Sequence, residues 1–139
     1  MNIWKGRDKG GFMADDLQEE IKKVAEKIPG CLYASLVGYD GISVAQHIIE
    51  ENFDVNLYDA EISSLMLSSR EVKRNLNLGT ENELIWITQQ AFFIIQPVGD
   101  DYFIYACLKP VGSNPGVARI EINKTKPKLM KIIYPKSDT

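Results

Sequence analysis

The chain has 139 residues and a mass of 15.7 kDa, with 16 basic and 19 acidic residues and a net charge of −3. This length suits a single domain, and an acidic composition is not typical of proteins that bind nucleic acid over their whole surface. No apolar run, such as residues 91–95, approaches the roughly 20 residues of a membrane-spanning helix, so we expect neither nucleic acid nor a membrane among the partners.

The first predicted element is a helix that follows a short charged segment. Residues 1–13 lack the apolar core of a signal peptide, so we expect a flexible leader and a cytoplasmic protein. Asp15 or Asp16 can cap the helix, and Pro29-Gly30 ends it. Its apolar positions recur at helical spacing: Leu17, Ile21, Val24, Ala25 and Ile28. A hairpin follows, with strands over residues 31–37 and 42–48 joined at Asp40-Gly41.

A second helix is predicted after a polar connection over residues 50–58. Asp59 is expected to cap its N-terminus, and Gly79 is expected to follow its end. Residues at helical spacing predict its buried side: Ile62, Leu65, Met66, Ser69, Val72 and Leu76. Small residues repeat every four positions beside Leu67: Ala60, Ser64 and Ser68. This small-residue ridge lets another helix approach closely.

Three strands and a last helix complete the predicted order. The strands cover residues 84–88, 91–98 and 102–108, and their short turns make them antiparallel. Asn114 can cap the last helix with Pro115 at its first position, and Pro127 should end or kink it. Residues 124–139 then form a basic tail. The order α-β-β-α-β-β-β-α predicts an α+β domain over residues 14–123, with a five-stranded antiparallel sheet and helices on its faces.

Residues 84–87 of the third predicted strand and 92–95 of the fourth are all apolar, whereas a strand covered on one face alternates apolar and polar residues. Either helices cover both faces within one chain, or a second copy supplies the cover. In a twofold dimer, the third strand would pair with its mate and the second helix would pack on its mate. The expected dimer interface then comprises Leu84, Ile85, Trp86, Ile87, Ser64, Leu67 and Ser68.

The sequence contains no motif for catalysis, metal binding or cofactor binding. Cys31 and Cys107 are far apart and lie in apolar stretches, so we expect two core thiols, with a disulfide as the open alternative. His47 is the single histidine and cannot form a multi-histidine metal site. Phosphate-binding glycine loops, HExxH and GxSxG are all missing. We therefore expect no catalytic residue, no metal ligand and no cofactor.

Five segments carry a resemblance to a known family: IPGC at residues 28–31, GISVA at 41–45, the helix at 60–76, IQPVGDDY at 95–102 and NPGVAR at 114–119. In their order and spacing they resemble the Roadblock dynein light-chain family. Within it they resemble the MglB-like branch, which comprises bacterial partners of gliding-motility (MglA-type) small GTPases.

The resemblance implies a homodimer whose sheet continues across the interface and which has no catalysis of its own. It implies that the dimer binds and regulates a Ras-like small GTPase, and can raise GTP hydrolysis without lending an arginine finger. Arg70 and Arg74 suit a helix C-terminus better than that role. The implied platform lies on the paired second helices: Ala60, Glu61, Ser64, Ser68, Glu71 and Asn75. Two other functions stay open, a scaffold subunit of a larger motor or signalling complex and a small-ligand sensor domain.

Overall fold

The computed structural model describes residues 12–135. Three helices and five strands follow one another in the predicted order. Their bounds are α1 Phe12–Lys27, β1 Cys31–Gly38, β2 Ser43–Ile48, α2 Val55–Asn75, β3 Leu84–Ile87, β4 Phe92–Val98, β5 Tyr102–Leu108 and α3 Pro115–Ile133. The strands form one antiparallel sheet in the order β2-β1-β5-β4-β3. The predicted α+β fold class is therefore confirmed, and β2 and β3 are the edge strands.

Helices cover both faces of this sheet within a single chain. Leu17 of α1 and Ile122 of α3 belong to one buried apolar cluster, whereas Ile62 and Met66 of α2 belong to a second cluster on the opposite face. Alternate residues of the central strands contribute to the two clusters, which explains why β5 is apolar throughout and why β4 is apolar except at Gln96. The same explanation does not extend to β3, which lies at the edge of the sheet.

The start of α2 differs from the prediction. Asp54 is the N-cap, and its side chain accepts a hydrogen bond from Leu57 N. The prediction that Asp59 caps α2 is therefore wrong. The helix begins about one turn earlier, because Val55 is buried in the core. Asp59 points into the core instead. Likewise α1 begins at Phe12, so Asp15 lies inside its first turn, where a carboxylate interacts favourably with the helix dipole.

The last helix continues beyond Pro127. Asn114 caps it through a bond from Val117 N to Oδ1 of 3.1 Å, as predicted, and the helix runs to Ile133. The prediction that Pro127 could end it is wrong, because Leu129 and Ile133 are buried against the sheet and compensate for the backbone hydrogen bond that proline cannot make. Residues 124–133 of the predicted tail are thus helical. The division into leader, domain and tail stays a prediction, and residues 1–11 and 136–139 lie outside the described range.

The two cysteines are free thiols in the two different core clusters. Burial raises the pKa of Cys31 and of Cys107 to about 12, so both thiols stay protonated and unreactive at neutral pH. The two are thus core thiols, and the alternative of a disulfide does not occur. Over residues 12–135, no helix is long and apolar enough to cross a membrane. Within the same range, no group of three or more His, Cys, Asp or Glu residues could hold a metal ion.

Candidate functional site

The free edge of the sheet at β3 is apolar and exposed. Ile85, Trp86 and Ile87 are 43%, 45% and 65% exposed, and within residues 12–135 β3 pairs only with β4. In the turn after β3, Thr88 N donates to Ala91 O over 2.9 Å. In an antiparallel pair, every second residue forms hydrogen bonds with the neighbouring strand. Counting back from Thr88, the backbone N–H and C=O groups of Ile85 and Ile87 therefore point away from β4. Such an edge can accept another strand.

A groove of about 280 Å³ separates this edge from α2. Glu61 is the one charged residue in its lining, and Trp86 forms part of its wall. The Trp86 ring lies 5.6 Å from the Phe93 ring, which fixes the indole against the sheet. The remaining lining residues are Leu57, Tyr58, Ile62, Thr88, Gln90, Ala91 and Phe93. The groove therefore extends the apolar edge of β3 as far as α2.

The outward face of α2 carries all six residues that were predicted as the platform. Each is exposed: Ala60, Glu61, Ser64, Ser68, Glu71 and Asn75. Leu57, Leu67 and Val72 add apolar side chains that are 53%, 45% and 54% exposed. The prediction that Val72 and Leu76 lie on the buried side of α2 is therefore wrong. The opposite face of α2 is buried and comprises Val55, Asp59, Ile62, Ser63 and Met66. The exposed apolar side chains of α2 are therefore not needed for the core of the single chain.

The predicted interface residues lie on two neighbouring elements. Ser64, Leu67 and Ser68 are exposed on α2, and β3 contributes the other four. Leu84 is half-buried and packs on the core beneath α2, whereas the three residues after it are exposed. The structure thus places the strand and the helix on either side of the groove.

Aromatic rings form the layer beneath α2. Tyr33 packs edge-on against Tyr105, with ring centres 5.6 Å apart, and against Tyr58 at 6.0 Å. Tyr58 and Tyr105 each contact Phe93, at 6.4 and 6.2 Å. Because Phe93 also contacts Trp86, this aromatic layer connects the buried side of α2 with the groove and the edge strand.

A buried carboxyl group near the start of α2 was not predicted. Asp59 is 0% exposed. Its Oδ1 accepts a hydrogen bond from Tyr105 OH at 2.8 Å, and its Oδ2 lies 3.0 Å from Gln46 Nε2. Burial raises the pKa of this carboxyl group above its usual range. The sequence did contain a signal, since Asp59 precedes the buried Ile62 and Met66 at helical spacing.

The C-terminal half of α2 is fastened to two hairpin turns by Arg70. Its guanidinium carbon lies 3.8 Å from the centre of the Tyr39 ring, and its Nη2 donates to Asp100 O over 2.8 Å. A cavity of about 580 Å³ beside it has a mixed lining that includes Asp40 and Asp101. Arg70 therefore has a structural role in the chain.

The start of β3 is held by α3. The guanidinium of Arg119 contacts both carboxylate oxygens of Glu83, and its Nη2 lies 2.8 Å from Oε1. Gln96 of β4 donates to the same carboxylate over 3.0 Å. This network positions the residue just before β3, so the last helix contributes to the position of the exposed edge.

The fold is similar to those of several solved structures. A structure of MglB with a tetrameric arrangement has a TM-score of 0.80 at 12% identity, over 90% of this chain and 93% of that chain. A Roadblock/LC7 domain from Streptomyces avermitilis has a TM-score of 0.68 at 15% identity, over 83% of this chain and 98% of that chain. The chain has the Roadblock/LC7 fold. MglC from Myxococcus xanthus is also similar, with a TM-score of 0.61 at 26% identity, over 83% of this chain and 97% of that chain.

The Roadblock/LC7 fold confirms the resemblance that the sequence segments carried, including the similarity to MglB. At these identities the likeness to MglB and to the Streptomyces domain is one of fold. No family model and no curated protein matches the sequence. What this chain binds has to be argued from its own exposed edge, groove and helix.

Proposed function

We propose that the chain forms a homodimer through β3 and α2 and that the dimer is an adaptor for a Ras-like small GTPase. The observation that carries the proposal is the apolar free edge of β3, with Ile85, Trp86 and Ile87 exposed beside the outward face of α2. In this proposal the adaptor has no catalysis of its own. It acts by binding one nucleotide state of its partner better than the other, which shifts the partner's population.

The dimer part of the proposal follows from the physical chemistry of the edge. The free edge of a single chain has three large exposed apolar residues, and the backbone N–H and C=O groups of Ile85 and Ile87 are unpaired with β4. Such an edge can pair with strands of other chains and cause aggregation. Pairing with a second copy satisfies those backbone groups and covers the groove on both protomers. The MglB structure with a tetrameric arrangement supports self-association as a property of this fold.

The platform part concerns the outward face of α2. In a twofold dimer the two α2 helices lie together, so the exposed faces of Ala60, Ser64 and Ser68 allow them to approach closely. Glu61 and Glu71 place two carboxylates per protomer on the same surface. A GTPase that binds here would present basic or hydrogen-bonding groups to these carboxylates.

The proposal is tested by affinity capture with the immobilised protein. Lysate of the source organism is passed over it in the presence of a non-hydrolysable GTP analogue or of GDP. We expect a small GTPase to be retained with the analogue and not with GDP. Partners retained equally in both states would contradict the regulatory role and indicate the structural scaffold. If nothing is retained, the adaptor proposal fails, and a thermal-shift ligand screen would then test the sensor function.

Reversing the charge at Glu71 should weaken capture of the GTPase without dissociating the dimer. Glu71 is exposed on the proposed platform and does not line the groove, and replacing its carboxylate by a guanidinium in Glu71→Arg places like charges together across the interface with the GTPase. We expect about tenfold weaker binding, equivalent to about 1.4 kcal/mol. Isothermal titration against the captured GTPase measures it.

The matched control is Glu19→Arg, which makes the same change at an exposed position of α1 on the other face of the sheet. It should bind the GTPase as the wild type does. Equal loss of affinity in both variants would mean that net charge, and not the α2 surface, determines binding.

A further inference from the structure

The two edge strands of the sheet present different surfaces. At β3, Ile85, Trp86 and Ile87 are exposed, and the outward backbone groups of the two isoleucines meet no further strand within residues 12–135. At the opposite edge, and within the same residues, β2 pairs only with β1. The outer side of an edge strand can pair with a strand of another chain unless something covers it. What covers β2 therefore bears on how the chain assembles.

The backbone of Gln46, near the middle of β2, is hydrogen-bonded by a side chain of α1. Gln46 N donates to Gln18 Oε1 over 3.2 Å, and Gln18 Nε2 donates to Gln46 O. In an antiparallel pair, every second residue directs both backbone groups away from its neighbour. Gln46, which lies opposite Ser35 of β1, is such a residue. An added strand would bond the same two groups, so the Gln18 amide takes the place of a strand with its one acceptor and its donor.

Other contacts of β2 also keep it between the two helical layers. His47 Nε2 lies 3.5 Å from Glu26 Oε2 of α1. On the other face of the sheet, Gln46 Nε2 donates to Asn56 Oδ1 of α2 over 3.0 Å. The pairing of β2 with β1 contains a register shift near the hairpin turn, and such irregularities bend an edge strand. These are features of protected edges, and β3 has exposed apolar residues instead.

We propose that Gln18 is a specificity-determining residue for self-assembly: its amide blocks the β2 edge, so that a second copy of the chain can add its strand only at β3. A chain with two free edges can add a copy at each of them, and head-to-tail addition of this kind produces an open filament. A chain with one free edge forms a closed pair. The inference goes beyond the proposed function and rests on it only for the position of the dimer at β3.

The assembly state of Gln18→Ala tests the proposal. Gln18 is exposed on α1, so its truncation removes both bonds to Gln46 without opening the core. We expect sedimentation velocity to show species at least about twofold larger in mass than the wild type, with a size that increases with concentration. Glu19→Ala is the matched control, because Glu19 is the next exposed residue of α1 and has no hydrogen bond to β2 within residues 12–135. It should sediment as the wild type does.

Two further variants identify the cause and the edge. Gln18→Met retains the length of the side chain but loses its polar groups, so it should assemble as Gln18→Ala does. If Gln18→Met sediments as the wild type does, bulk and not hydrogen bonding covers β2, and the proposal is wrong. Ile87→Asp places a charge on the β3 edge. Adding Gln18→Ala to Ile87→Asp should still increase the mass, through β2. No increase would show that the larger species do not use this edge.

Amide hydrogen exchange at Gln46 tests the bond itself, at a concentration low enough that Gln18→Ala does not associate. We expect Gln46 N–H to exchange about tenfold faster in Gln18→Ala than in the wild type, because it loses its acceptor. His47 N–H, which the alternation directs toward β1, should not change. Unchanged exchange at Gln46 would overturn the proposal, as would a Gln18→Ala variant that sediments as the wild type does.

Failure of this inference is distinguishable from failure of the proposed function. A wild type that is monomeric would contradict the dimer at β3, whereas the comparison of Gln18→Ala with the wild type would still test the β2 edge. A dimeric wild type with an equally dimeric Gln18→Ala variant would contradict the role of Gln18 and leave the β3 dimer and GTPase capture unaffected.

Discussion

Replacing Trp86 by Asp is expected to convert the proposed homodimer into monomers. Trp86 is 45% exposed at the free edge and lines the groove. The proposed interface therefore buries two copies of Trp86, one from each protomer. Loss of a buried aromatic anchor costs about 2 kcal/mol or more, and both copies carry the change. The dimer dissociation constant should therefore rise by about a thousandfold. Sedimentation velocity over a range of concentrations measures it.

A second variant separates dissociation from unfolding, because Trp86 also packs on Phe93. Ile87→Asp changes a residue that is 65% exposed and should dissociate the dimer as well. Ile120→Asp is the matched control, since Ile120 is 54% exposed on α3 and should leave the dimer intact. All three should keep the wild-type circular dichroism. If both β3 variants dimerise as tightly as the wild type, the interface lies elsewhere.

Replacing Gly30 by Ala is expected to destabilise the fold strongly. Gly30 has φ +77° in the turn between α1 and β1, and an added Cβ would lie 2.5 Å from Ser113 Cα and 2.8 Å from Gly112 O. These are backbone atoms of the loop that leads into α3, and that loop is held to the turn by Asn114 N donating to Pro29 O over 3.1 Å. The strain and the displaced loop together should cost about 3 kcal/mol or more. Denaturant unfolding measures the loss.

Gly79→Ala is the matched control for this clash. Gly79 also has a positive φ, of +85°, but an added Cβ would meet nothing within 4 Å. Alanine there should cost only about 1 to 2 kcal/mol, the strain of the left-handed conformation. Equal losses in the two variants would show that the close approach of the two loops does not matter for stability.

The strands could be predicted from the sequence because their signals are local. Turn residues and apolar runs determine where β5 begins and ends, and its predicted bounds match the structure. The start of α2 could not be predicted in the same way, because it depends on a tertiary contact. Asp54 and Asp59 are both suitable caps in the sequence, and burial of Val55 decides between them.

The candidate site was predictable in composition but not in arrangement. The apolar run of β3 and the small residues of α2 are visible in the sequence, and all of them except Leu84 are exposed. The groove between them could not be predicted, because it depends on which face of the sheet each helix covers. The contact of Arg119 with Glu83 was equally invisible, since 36 residues separate the two. Asp59 was assigned to a cap because an acidic residue is a poor candidate for a core position.

The most direct test of the account is the affinity of the purified dimer for the captured GTPase in its two nucleotide states, measured by isothermal titration. We expect the dimer to bind the GTP-analogue form about tenfold or more tighter than the GDP form, a difference of about 1.4 kcal/mol or more. The monomeric Trp86→Asp variant should lose this preference. Equal affinity for both forms would contradict it, because a partner bound equally in both states is not regulated by the binding.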